Sequence, residues 1–192
     1  MPATRTVTAK RARTSARLVD AATEVVARRG FHAASVDEIA RRAGYSIGAL
    51  YSNFKSKDDL FLAVFDGHLE WFERQLETVS RSDDPAVAAS GWMDLIARNP
   101  DQFLVFVEFW AYAVRRPRVR PRFAARMARM RAAMTASVDR IVAESGRPPP
   151  MPPERAALLM LAAGRGLAME RLADPDAFED DVVEGLVQGM AG

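Results

Sequence analysis

The chain has 192 residues, 49% hydrophobic and 27% charged, a globular composition with enough length for one sizeable core or for a small module joined to a larger one. It has no cysteine and only two histidines, His32 and His68, which excludes disulfides, thiolate nucleophiles, cysteine-bound metals and a multi-histidine metal centre within one chain. The net charge of +2 conceals an asymmetry: residues 1–57 hold 11 Lys/Arg against 4 Asp/Glu and residues 58–192 hold 16 against 21, so a basic N-terminal part on an acidic body points to a polyanionic partner.

Residues 1–12, rich in Thr, Arg and Lys and without periodicity, predict a flexible basic arm. The N-terminus MPATRTVTAKRAR has no apolar segment of a secretion signal, and no apolar run approaches the roughly 20 residues that span a bilayer. The expectation is a cytoplasmic protein with no membrane partner. A helix is predicted from Thr14, with Leu18, Ala22 and Val25 as its stripe and Gly30 as its stop. Ser35-Val36-Asp37-Glu38 fits a capping box and opens a second helix, with Val36, Ile39, Ala40 and Ala43 inward and Gly44 ending it. Ser46 caps a third, Ile47 to Phe54, with Leu50 and Phe54 on one face. Ser56 caps a fourth, with Asp58 and Asp59 in its first turn, and Leu60, Phe61, Val64, Phe65, His68, Leu69, Phe72 and Leu76 carry its stripe toward Ser80. Further helices are predicted over 85–98, from Asn99-Pro100-Asp101 through Val114, over 118–144, from Pro153 or Glu154 to Ala173, and over 178–190; the five prolines in 147–153 form a stiff connector. No strand or repeat is evident, and the expectation is an all-α chain of about nine helices.

The two short helices joined by Ala43-Gly44-Tyr45-Ser46 make a helix-turn-helix candidate. With Leu50 and Phe54 inward, the second helix leaves Gly48, Ala49, Tyr51 and Ser52 outside; it has no acidic residue, and Lys55 and Lys57 follow it. The stretch FHAASVDEIARRAGYSIGALYSNFKSKDDLFLAV, Phe31 to Val64, resembles the N-terminal domain of the TetR family of bacterial transcriptional repressors. The resemblance rests on the Ser35-to-Gly44 helix, the Gly-x-Ser before the next one, Leu50-Tyr51, Phe54, Lys55-x-Lys57 and the following Leu-Phe. It implies a DNA-binding domain over 13–57 and a ligand-binding and dimerisation domain over 58–192, with helix 58–80 connecting them. It implies a homodimer on a near-palindromic double-stranded DNA operator, released by a small hydrophobic or amphipathic effector. Residue by residue, it gives Ser46, Ile47, Gly48 and Ala49 the start of the recognition helix, where base edges are read. It gives Tyr51 and Lys57 a grip on phosphates, and Ser35 and Asn53 further backbone contacts, with Ser52 and Lys55 completing the set. Ile47 and Ala49 can meet thymine methyls but cannot make bidentate hydrogen bonds to bases, so backbone contacts and DNA shape are expected to supply more of the specificity. For Arg5, Lys10, Arg11 and Arg13 of the arm, nonspecific attraction is expected; insertion into a minor groove is the alternative.

In the C-terminal part, Phe103 to Val114 is apolar except for Glu108, and Ala156 to Met169 is apolar or glycine except for Arg165. Helices apolar all round need a buried environment on every side. The candidate effector-site residues are Trp92, Met93, Phe106, Phe109, Trp110, Tyr112, Phe123, Met127, Met130 and Met134, with ordinary core packing as the alternative for each. Glu108 and Arg165, each the only charge in its stretch, pair with each other, hold a polar end of the effector or reach solvent. The resemblance places the dimer contact on the last two helices, through Ala162, Ala163, Gly166, Met169, Val183, Leu186 and Val187.

No arrangement supports catalysis: there is no phosphate-binding glycine loop, and His68 reads as a packed core residue. No cofactor or metal is expected. An architectural DNA binder without a ligand is the alternative, and some 130 residues rich in aromatics beyond the helix-turn-helix argue against it.

Overall fold

The computed structural model describes residues 3–79, 99–146, 151–176, 182 and 185. Seven helices and no strand are found among the described residues: α1 (Ala3–Ala33), α2 (Val36–Arg42), α3 (Ile47–Asn53), α4 (Lys57–Val79), α5 (Pro100–Val114), α6 (Arg120–Ser145) and α7 (Pro153–Ala173). The helices expected over 85–98 and 178–190 lie outside the described residues, as do Trp92, Met93, Val183, Leu186 and Val187.

The helix starts follow from local chemistry. The Ser35 hydroxyl accepts the Glu38 N–H at 3.1 Å, the Ser46 hydroxyl accepts the Ala49 N–H at 3.1 Å, and the Ser56 hydroxyl accepts the Asp59 N–H at 3.1 Å. Each occupies one donor that a helix start otherwise leaves without an acceptor. Gly44, at φ 76°, makes the turn between α2 and α3 in the left-handed region that a side chain disfavours.

The start of α1 departs from expectation. The helix begins at Ala3 rather than Thr14, so the segment expected to be an arm is helical for most of its length. Ala9, Lys10, Arg11, Ala12 and Arg13 are strong helix formers, and all five are exposed. Five consecutive exposed positions leave no buried stripe there, which is why periodicity does not reveal this stretch. Gly30 breaks α1 as expected, at φ 72° and ψ 168°, and one further turn runs to Ala33 before the chain enters α2.

The chain divides into two compact units, Met1–His68 with Leu104–Phe123, and Leu69–Phe103 with Ala124–Gly192, so α4, α5 and α6 each contribute to both. In the first unit Leu18, Ala22, Val25 and Val26 of α1 are buried with Ile39, Ala40, Leu50 and Phe54. Beside them lies an aromatic core. Phe31 meets Phe61 edge-on at 4.1 Å between ring centres, Phe65 stacks on Phe109 at 5.0 Å, and Phe123 lies 5.1 Å from Phe65. Such pairs add about 0.5–1.5 kcal/mol each beyond the area they bury. His68 is buried and tilted against Phe65, which fits the core role expected of it. In the second unit Leu69, Phe72 and Leu76 of α4, Met130, Met134 and Val138 of α6, and Ala156, Ala157, Leu161 and Ala168 of α7 are buried. Arg129 Nε donates to Glu73 at 2.7 Å across α6 and α4.

Candidate nucleic-acid interface and effector region

The exposed face of α3 is built as its wheel predicts. Leu50 and Phe54 are buried, while Ile47 at 43% and Tyr51 at 50% stand out in solvent, large apolar surface that a folded monomer gains nothing by exposing. Gly48 and Ser52 are exposed beside them, and Ala49 is half-buried. A Cβ at Gly48 would meet nothing closer than the Ser46 hydroxyl, 3.8 Å away, so the packing of this chain does not demand glycine there. Glycine does leave the backbone open to a close approach from outside. The Ala49 carbonyl takes hydrogen bonds from the Ser52 hydroxyl and the Asn53 amide, both at 2.8 Å, while the Asn53 Oδ1 is buried without a hydrogen-bond partner. Ser35 serves as the α2 cap, and Lys55 is exposed.

Lys57, for which a grip on phosphate is expected, meets acceptors within the chain. Its amine donates to the Ala34 carbonyl at 2.6 Å and to the Phe31 carbonyl at 3.5 Å, and it lies 5.0 Å from the Phe61 ring centre. Burial lowers its pKa, the charge of Arg116 acts the same way, and Asp58 opposes both. The side chain thus turns toward the carbonyls that end α1, because these acceptors face α4 where its first turn begins.

Glu108 finds a partner that sequence spacing does not suggest. Its Oε2 accepts the Phe31 N–H at 2.9 Å, the first donor freed by the break at Gly30. A Cβ at Gly30 would lie 3.0–3.2 Å from that carboxylate. Both Glu108 and Phe31 belong to the first unit, and one oxygen of the carboxylate is taken by this backbone donor. Nearby, the Tyr112 hydroxyl donates to Asp58, and burial followed by that hydrogen bond pushes the phenol up to about 12. Arg122 Nη2 lies 2.7 Å from Asp59.

The remaining effector candidates separate. Phe106, Phe109, Tyr112 and Phe123 are buried against other rings of the first unit, and Trp110 is exposed. Met127, Met130 and Met134 fall in the second unit with Arg165, Met130 and Met134 buried and Met127 half-buried. Arg165 Nη2 lies 3.1 Å from the Met130 sulfur. Burial lowers the Arg165 guanidinium to about 10, with the charge of Arg131 acting the same way, so it remains a cation at neutral pH. On α7, Ala162, Gly166 and Met169 are exposed and Ala163 is half-buried.

Two groups of contacts were not anticipated. Arg11 donates to the Ser52 carbonyl at 3.2 Å, and the Tyr45 hydroxyl hydrogen-bonds to Thr14, which lowers its pKa together with the charges of Arg17 and Arg13. Only the absence of carboxylates before Asp20 hints at them in the sequence.

Among the described residues no helix is long and apolar enough to cross a membrane. The sequence model for bacterial regulatory proteins of the tetR family matches residues 18–64, and that for the C-terminal part of BetI-type transcriptional repressors matches residues 86–190, more than half of the chain. Over 53 residues, 28% of this chain, it is 53% identical to the HTH-type transcriptional activator FasR of Mycolicibacterium smegmatis. Over 60 residues, 31% of this chain, it is 37% identical to the fatty acid metabolism regulator protein of Bacillus subtilis. The match spans only 24% and 31% of those two relatives. Among solved structures, a transcriptional regulator from Rhodococcus sp. Rha1 superposes with a TM-score of 0.72 at 28% identity, covering 93% of this chain and 94% of the other. FadR from Bacillus subtilis in complex with stearoyl-CoA superposes at 0.68 and 18% identity, covering 89% and 96%. The chain belongs to the TetR family of bacterial transcriptional regulators, which carry a helix-turn-helix DNA-binding domain and a ligand-binding helical domain.

Proposed function

We infer that this chain is a non-enzymatic, ligand-responsive repressor of the cytoplasm that binds a near-palindromic operator as a homodimer and leaves it when an amphipathic effector binds. The observation that carries the reading is the face of α3, where Ile47, Gly48, Tyr51 and Ser52 are exposed together with no acidic residue on the helix. The DNA-binding part is read as 13–57 and the regulatory part as 58–192. In this reading α3 enters the major groove, Ile47 meets thymine methyls, and Tyr51 grips a phosphate. The homodimer reading is supported by α7, whose Leu159, Ala162, Gly166 and Met169 recur at spacings of three and four on an exposed face. An apolar stripe of that length on a monomer marks an interface.

For the effector, Arg165 beside Met130, on the helix that also carries Met127 and Met134, suits an apolar tail with an anionic head. FadR binds stearoyl-CoA within a similar fold, which supports an acyl effector here. Release from DNA requires that the effector bind one conformation of the dimer more tightly than the other. The test is selection of duplexes from a random library followed by titration with fatty acids and acyl thioesters. The expected result is a near-palindromic consensus whose binding is reversed by one acyl class. Recovery of no consensus overturns the repressor reading, and insensitivity to every acyl compound overturns the effector class.

A further inference from the structure

Resting on the DNA-binding reading, we propose that the N-terminal turns of α1 are a second phosphate-binding element, a basic strip along one helix face that lengthens the contact with the duplex beyond the recognition helix. Between Ala3 and Asp20 the chain has five cations, Arg5, Lys10, Arg11, Arg13 and Arg17, and no carboxylate. Because this segment is helical, Lys10, Arg11, Arg13 and Arg17 hold fixed relative positions on it. Lys10, Arg13 and Arg17, spaced three and four apart, share one face, and all three are exposed. Like charges at those spacings destabilise a helix, so the monomer gains nothing from the arrangement.

The strip is continuous with the DNA-facing surface. Arg11 donates to the carbonyl of Ser52 in the last turn of α3, one residue after Tyr51. Arg17, Arg13 and Thr14 act on Tyr45, in the turn that joins α2 to α3. The same α1 turns therefore flank both ends of the recognition helix, and a phosphate backbone gripped at Tyr51 runs on beside them. A flexible arm would bear an ordering cost on binding, whereas side chains on a formed helix lose only rotamer freedom. Phosphate contacts carry charge but no base readout, so the strip contributes affinity and salt dependence rather than sequence preference.

The experiment measures binding of the full chain to a random-sequence duplex and to a duplex selected by the wild type, across salt concentrations. The strip variant is Lys10→Gln, Arg13→Gln, Arg17→Gln. The control, Arg120→Gln, Arg131→Gln, Arg155→Gln, removes the same charge from exposed positions elsewhere. The strip variant is expected to lower the slope of log affinity against log salt by about 0.9 for each phosphate it no longer neutralises, roughly 2.7 per seated protomer, on both duplexes alike. The control is expected to keep the wild-type slope, and Arg13→Lys to keep most of it. Equal reductions in strip and control variants assign the effect to net charge and overturn the strip, as does a strip variant with the wild-type slope. A reduction confined to the selected duplex overturns it too, since that is base readout. A wild type that binds neither duplex is a failure of the DNA-binding reading itself, and takes the strip with it.

Discussion

Gly30, Phe31 and Glu108 form a small unit in which each residue explains the others. At φ 72° and ψ 168° Gly30 sits in a region that residues with a Cβ occupy only under strain, and the break it makes frees the Phe31 N–H that Glu108 accepts. Gly30→Ala is expected to lose about 1–3 kcal/mol of stability from backbone strain, and more if the carboxylate cannot give way. Glu108→Ala is expected to lose about 1–3 kcal/mol by leaving a donor without an acceptor, while Glu108→Gln, whose amide oxygen still accepts, loses less. Urea unfolding measures all three, and equal losses for Ala and Gln at 108 would sink the hydrogen-bond account. Tyr112 makes a pH prediction. The phenol of the unfolded chain loses its proton near pH 10 and the folded one near 12. The folded state therefore holds that proton more tightly, its contribution is complete below pH 10, and it drains away as pH rises toward 12. Relative to wild type, Tyr112→Phe should flatten the loss of stability over that window by on the order of 2 kcal/mol; parallel curves would dismiss the assignment.

At the scale of the element, short-range chemistry is legible in the sequence and long-range pairing is not. Ser35, Ser46 and Ser56 act within three residues of themselves, so their caps can be read directly, as can the burial of Leu50 and Phe54 and the bounds of α5 and α7. The start of α1 escapes periodicity because periodicity reports a buried face, and residues 9–13 have none. Lys57 and Glu108 escape it because their partners, the Ala34 carbonyl and the Phe31 N–H, lie 23 and 77 residues away. The aromatic run in α5 can be recognised as apolar, but composition does not distinguish a ring packed on Phe65 from one lining a ligand site. For α3 the two demands on a residue separate at Gly48. Replacing an exposed helical glycine by alanine should stabilise the chain by up to about 1 kcal/mol, since the new methyl has room. The same Gly48→Ala should weaken DNA binding if a phosphate backbone approaches there. A thermal melt with an anisotropy titration reads both, and unchanged affinity would show that the groove does not close on this position.

For the molecule as a whole the open question is what covers α7. Leu158, Leu159, Met169 and Leu172 are exposed, with Met169 at 55%, whereas Ala156, Ala157, Leu161 and Ala168 are buried, so the helix is apolar on two sides and, among the described residues, only one is packed. Gly166 lies on the unused side, and a Cβ there would meet nothing within 4 Å. A glycine in mid-helix costs roughly 1 kcal/mol against alanine, and among the described residues there is no packing reason for it. A second copy of α7 crossing closely at Gly166 supplies that reason, because the absent side chain lets two helix backbones approach. Gly166→Leu therefore separates assembly from folding. In the isolated chain the substitution should be neutral or mildly stabilising. In the dimer the inserted side chain should cost about 1–3 kcal/mol, a five- to more than hundredfold weaker association, and with it operator affinity should fall. Sedimentation equilibrium of wild type and variant, with unfolding measured at a concentration where both are monomeric, gives the two quantities independently. A dimer that tolerates leucine at 166 would move the interface off this face, and a wild type that stays monomeric at micromolar concentration would remove the homodimer altogether.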